Sequence, residues 1–196
     1  MSIRIPNGQS LHRDTLSVGA EIQKVDLTIE GAGVVPFPVE LFEGLDFEAM
    51  FATAGITLSE GEDIAITHTE GAIGFALRLS AEVAELTREW RERGLNVSFH
   101  TPLEGVVMRA IVGSRRPKTV VLRIENGTTY AAVSVDRRVK FVEALPMDGE
   151  EQVVNLLAHL NQDFDLGKAR FILLGESSAS YYKTIKKYFR RVRCEK

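Results

Sequence analysis

The chain has 196 residues, of which 44% are hydrophobic and 26% charged, with a formal net charge of -3. That apolar share excludes a disordered chain, the lone Cys194 excludes a disulfide scaffold, and no apolar run reaches the roughly 18 residues of a membrane span. The opening Met1–Pro6 lacks the apolar stretch of a secretory leader, so a soluble cytoplasmic protein is expected, and a pI near 5.9 speaks against general nucleic-acid binding.

In the first half, Ser2–Ile5 reads as a short strand entering a Pro6-Asn7-Gly8 turn. Thr15–Val18 and Val25–Ile29 are expected as the second and third strands. Gly31-Ala32-Gly33 marks a turn. Val34–Pro38 reads as extended, because each proline pushes its predecessor out of the helical region. Asp46–Ala54 sets Phe47, Met50, Phe51 and Ala54 at helical spacing, and Glu60-Gly61-Glu62-Asp63 is an acidic loop. Ile64–Thr67 and Ile73–Leu79 read as strands. Ser80 is expected to cap a helix that turns Val83, Leu86 and Trp90 inward and stops at Gly94. Asn96–His100 is a further strand. Thr101-Pro102-Leu103-Glu104 is a capping box with proline at the first helical position, opening a helix that carries Val106, Val107, Ala110 and Ile111 and ends at Gly113.

The second half is clearer. Lys118–Glu125 is rich in β-branched residues, and Val120, Leu122 and Ile124 alternate with more polar positions. Asn126-Gly127 follows, a strong hairpin signal because both residues accept positive φ. Thr128–Val135 is the returning strand, Asp136-Arg137 a second tight turn, and Val139–Leu145 a third strand closed by Pro146. Asp148 with Glu151 suggests a capping box, ahead of a helix that presents Val153, Leu156, Leu157 and Leu160 on one face. Gly167 ends the linker. Ala169–Gly175 reads as a central strand buried on both faces. Ser177 or Ser178 opens a last helix whose Tyr181, Tyr182, Ile185, Tyr188 and Phe189 form a wide apolar stripe, and Arg191–Cys194 suggests a final strand. A meander followed by alternating helix and strand is the ribonuclease H-like order.

Charge is uneven. Residues 181–196 carry seven Lys/Arg and one acid, which leaves 17 basic and 26 acidic residues in 1–180. The basic segment reads as a solvated helix face whose cations suit a helix C-terminus, with a site for an acidic partner or RNA as the alternatives. Its interleaved aromatics are read as core rather than as a base-stacking surface.

The two halves begin alike: Ser2–Ser10 aligns with Val121–Thr129 through a shared Arg-Ile-x-Asn-Gly, 119 residues apart. Strand plus Asn-Gly is a common hairpin solution, so convergence is one explanation. The similar order of elements favours a duplicated architecture.

On Ser2-Ile3-Arg4-Ile5, Val34–Phe42, Lys118–Leu145, Phe171–Glu176 and Tyr182–Val192, the sequence resembles an uncharacterised bacterial family of small actin-like proteins, found mainly in Bacteroidetes. The family is similar in shape to the actin-like parts of pilus and secretion machinery. The resemblance implies an α/β fold of two ribonuclease H-like lobes, 1–112 and 113–196, in a compact, truncated form of the actin-like ATPase architecture.

Actin-like ATPases hold metal and phosphate with two glycine-bearing hairpin loops, each led by an aspartate. Here the first loop would be Ile3–Ser10, with Arg4 in place of the acid and Asn7-Gly8 at its tip. The second would be Leu122–Thr129, with Arg123 in place of the acid and Asn126-Gly127 at its tip. The adenosine-side motif would be Leu174–Ser178, with Gly175 followed by Glu176 where a second glycine is usual. These eight positions (Arg4, Asn7, Gly8, Arg123, Asn126, Gly127, Gly175 and Glu176) are the candidate cofactor-binding residues, in degenerate form. Arginine repels Mg²⁺ but can attract a bare phosphate.

A nuclease site would need clustered carboxylates, and Glu125, Glu151 and Glu176 are its candidates. Each has a plainer role, as a pre-turn, capping or post-strand residue. His12, His68, His100 and His159 show no ligand spacing, and Cys194 lacks a histidine nearby in sequence. No catalytic residue, metal or cofactor is assigned. The expected function is a non-catalytic interaction or scaffold protein whose partner is another copy of itself or a cytoplasmic assembly protein. The alternative is a nucleotide-binding ATPase using the interlobe cleft.

Overall fold

The computed structural model describes residues 1–6, 21–68, 72–112, 117–147 and 149–195. The expected strand Thr15–Val18, the Asn7-Gly8 turn, His12, Gly113 and the Asp148 cap lie outside the described residues. The chain divides into two compact units, Met1–Thr101 and Pro102–Lys196.

The first unit runs β1 (Ser2–Ile5), β2 (Lys24–Ile29), β3 (Val34–Pro38), a 3₁₀ turn (Val39–Gly44), α1 (Phe47–Thr53), β4 (Asp63–His68), β5 (Ile73–Leu79), α2 (Ala81–Glu92) and β6 (Asn96–His100). Its described residues form two three-stranded sheets. One is parallel, in the order β1-β2-β6, with Val25 and Leu27 wholly buried. The other is antiparallel, in the order β3-β5-β4. On the second sheet Phe37, Phe51 and Ala76 form a small core, joined by Phe47 and Met50 from α1. Phe37 sits opposite Gly74, and a Cβ there would overlap its ring.

The helix starts follow the sequence signals. Asp46 accepts from Ala49 N at 3.0 Å and Ser80 from Val83 N at 3.4 Å, caps typically worth about 1 kcal/mol. Val83, Leu86 and Trp90 are buried as expected. The 3₁₀ turn was not foreseen: it buries none of its residues, so it lacks the apolar periodicity that reveals a helix.

The second unit runs α3 (Pro102–Val112), β7 (Lys118–Glu125), β8 (Thr128–Val135), β9 (Arg138–Pro146), α4 (Glu150–Phe164), a 3₁₀ turn (Leu166–Lys168), β10 (Arg170–Leu174), α5 (Ser178–Tyr188) and β11 (Val192–Cys194). Its sheet has the order β11-β10-β7-β8-β9. β7, β8 and β9 are antiparallel neighbours, while β10 and β11 join in parallel. That is the ribonuclease H-like order expected for this half. Both hairpin turns use the left-handed region, Asn126-Gly127 at φ 48° and 70° and Asp136-Arg137 at φ 50° and 65°.

One face of this sheet (Val120, Leu122, Ile124, Phe171, Leu173) packs with Val153, Leu157 and Leu160 of α4 and Ile185 of α5. α3 packs on β7, β8 and β9, and Ser134 Oγ donates to Ala110 O at 2.8 Å. The sequence reading counts this helix with the first lobe; here it is part of the second unit. α4 has Gly149 in the cap position with no side-chain cap bond. Tyr188 departs from the expected core stripe. It is 64% exposed while Ile185 is fully buried, because α5 ends there.

β7 is the middle strand of five. β1 pairs in parallel with β2, at the edge of its sheet among the described residues.

Candidate functional site

The residues expected from the sequence to form the second phosphate loop lie at the ends of β7 and β10. Strand alternation points residues two apart to one face, so Arg123 and Glu125 lie side by side. Arg123 Nη2 stands 2.9 Å from Glu125 Oε2, with the side chains 22% and 14% exposed. In parallel pairing Arg123 is level with Leu174, so the following Gly175 reaches Glu125. Gly175 has φ +88°, and a Cβ built on it would lie 2.7 Å from Glu125 Oε1. The Glu125 carboxylate therefore fills the space between the guanidinium and the glycine backbone. Arg123 Nε is buried without a hydrogen-bond partner among the described residues.

Around this pair, Asn126 and Gly127 are exposed at the hairpin tip, and Met147 N donates to Gly127 O at 2.8 Å. Glu176 is exposed in the turn after β10, which Ser178 N closes on Gly175 O at 3.2 Å. The structure thus brings together Arg123, Glu125 and Gly175. Arg4 is separate, on β1: its side chain is 65% exposed, and its Nη1 lies 4.0 Å from the buried Glu30 carboxylate. Asn7 and Gly8 lie outside the described residues.

The arrangement has a clear chemical meaning. The strand offers a guanidinium at Arg123, whose charge Glu125 balances. No group of three His, Cys, Asp or Glu able to hold a metal occurs among the described residues. Glu125, Glu151 and Glu176 do not form such a group, because the first is bound to Arg123 and the others are exposed on separate elements. Sequence reasoning weighed Arg123 and Glu125 separately. Their i, i+2 spacing on a strand was the signal that they share a face.

Other titratable groups have structural partners. His100 Nε2 lies 3.8 Å from Asp26 Oδ1, and Lys24 Nζ lies 3.0 Å from the same oxygen. The Lys24 ammonium holds the Asp26 carboxyl below the ordinary aspartate value. In the basic tail, Glu195 accepts two bonds from Arg109, at 2.5 and 2.6 Å, and also pairs with Arg193. Cys194 is exposed, and its thiol contacts Ser178 O at 3.6 Å.

Among solved structures, a Bacteroides thetaiotaomicron protein with an actin-like ATPase fold and unknown function matches with a TM-score of 0.73 at 12% identity. The match covers 88% of this chain and 68% of that one. The fold is actin-like. The PilM–PilN type IV pilus biogenesis complex matches this actin-like chain with a TM-score of 0.54 at 14% identity, over 88% of it and 69% of the other chain. No family model and no curated protein matches the sequence. No helix among the described residues is long and apolar enough to cross a membrane.

Proposed function

We propose that this actin-like chain is a non-catalytic interaction protein that works by binding protein partners or further copies of itself, without a nucleotide. The observation that carries this reading is the Arg123–Glu125 pair against Gly175. It sets a cation where the ATPase loop needs an acid, and a carboxylate over the glycine that phosphate would approach. Phosphate loops depend on open backbone N–H groups, and a fixed carboxylate beside them repels phosphate. The likeness to a chain of the PilM–PilN complex adds a protein of this fold that is held with a partner.

The test is thermal unfolding with ATP, ADP and GTP, each with and without Mg²⁺. A ligand at 100 times its dissociation constant stabilises by about 2.7 kcal/mol, roughly 5 to 10 °C for a chain of this size. No shift at millimolar nucleotide is expected. A magnesium-dependent shift of that size would overturn the proposal and make the chain a nucleotide-binding protein.

A further inference from the structure

We infer that two copies of this chain join head to tail, the acidic 3₁₀ turn after β3 of one copy docking its Leu41 and Phe42 into the apolar groove between α4 and α5 of the next. The inference deepens the proposed function, resting on its reading that the chain acts through protein contacts.

Two surfaces on one chain carry it. The first is the Val39–Gly44 turn, which buries none of its own residues. Leu41 is 54% exposed. Phe42 is 39% exposed even though it leans on Phe37 and Phe47, with ring centroids 6.0 and 5.9 Å away. Glu40, Glu43 and Glu48 around it are exposed, and residues 37–63 contain seven acids and no Lys or Arg.

The second surface is a groove of about 290 Å³ lined by Val154, Leu157, Ala158, Asn161, Tyr188 and Phe189. Its volume falls just under the roughly 300–1,000 Å³ of small-molecule clefts and suits one or two inserted side chains. Val154, Leu157, Ala158 and Asn161 recur at helical spacing, a second stripe on α4 beside the one that faces the sheet. Tyr188 stands exposed at the edge, an aromatic of the kind that anchors interfaces. The exposed Lys187 and Arg190 bracket Tyr188 and Phe189, and residues 181–196 hold seven bases and one acid. Lys186 and Arg191 are tied back to the carbonyls of Arg190 and Lys168, which fixes this basic end of α5 in place.

An apolar knob ringed by acids and an apolar groove edged by bases are complementary in both shape and sign. Opposed potentials steer two such surfaces together and set their register. Because knob and groove are different patches, the contact is heterologous. Each added copy leaves one free knob and one free groove, so assembly continues into an open chain or closes as a ring.

The test is sedimentation velocity on the full chain without nucleotide, over a wide concentration range, at 0.1 M and 1 M salt, between which the Debye length falls from about 10 Å to about 3 Å. The expected result is a mass that grows with concentration beyond the 21.8 kDa monomer and shrinks at high salt. Glu40→Lys with Glu43→Lys should weaken assembly about tenfold or more, and so should Lys187→Glu with Arg190→Glu. Mixing the two variants should restore growth through the swapped charges, which misfolded variants could not do. A monomer at every concentration both without nucleotide and with ATP and Mg²⁺, or growth indifferent to both reversals, would overturn the contact. Growth that appears only with ATP and Mg²⁺ and is lost in both reversals would support the contact and overturn the nucleotide-free reading, so the two failures are distinct.

Discussion

Glu125 and Gly175 are in contact across the ends of β7 and β10, the carboxylate oxygen 2.7 Å from where a side chain on the glycine would begin. The glycine meets two demands at once. It leaves room for the carboxylate, and it adopts φ +88°, a conformation L side chains rarely take. Arg123 holds the same carboxylate from its other side.

Gly175→Ala should therefore destabilise the chain in two separable ways. The left-handed backbone costs about 1–2 kcal/mol, and overlap with Glu125 adds to it. At about 2–4 °C per kcal/mol, unfolding should fall by several degrees. In a Glu125→Ala background the overlap is gone and the loss should be smaller. Equal losses in both backgrounds would show that the carboxylate does not crowd the glycine.

Gly74→Ala isolates the steric effect, since Gly74 is not among the glycines with positive φ. A methyl at this position would overlap the Phe37 ring at the centre of the small core on β3-β5-β4. Overpacking of this kind costs about 1–3 kcal/mol. Phe37→Leu should recover part of it. Chemical denaturation of the two single variants and the double variant gives the coupling, and simple additivity would contradict the overlap.

Asp26 should give the first unit an acid-side loss of stability. Lys24 first, and His100 after it, favour the charged carboxylate in the folded chain. A carboxyl held below its unfolded value contributes fully above that unfolded value, and the contribution disappears as pH falls through the folded one. Side-chain NMR titration should place the Asp26 midpoint below the ordinary aspartate value. Lys24→Ala should move it upward, and an unmoved midpoint would remove Lys24 as the cause.

The second unit was legible wherever strand alternation and turn chemistry acted locally. β7 and β8 have the bounds expected from their β-branched runs, and Asn126-Gly127 makes the turn its residue types require. The first unit was legible in its elements but not in their partners. Nothing local in Ser2–Ile5 says that it pairs in parallel with Lys24–Ile29. The exposed ring of Tyr188 was hidden for a similar reason: its spacing fits the stripe, and only the end of α5 leaves it outside the core. At the candidate site, the sequence shows Arg123 and Glu125 two apart on one strand, and so on one face. That Gly175 comes against the Glu125 carboxylate depends on the pairing of β7 with β10, which no local pattern encodes.

The strand order of the two units also sets a timetable for synthesis. β7, β8 and β9 are joined by two-residue turns, so each can pair as soon as its neighbour is made. Lys24 of β2 pairs with Asn96 of β6, 72 residues later. At about 5–20 residues per second, β2 leaves the ribosome roughly 4–14 s before that partner exists. The backbone edge of Lys24–Thr28 that faces β6 stays unpaired for the interval. Pulse-labelled hydrogen exchange during refolding should find the β7–β9 amides protected before those of β2 and β6. Protection in the reverse order would contradict this timetable. The last-made half of the molecule would then be the first to reach its final form once released, while the first-made half is the one with the longer exposure to chaperones and to misassembly.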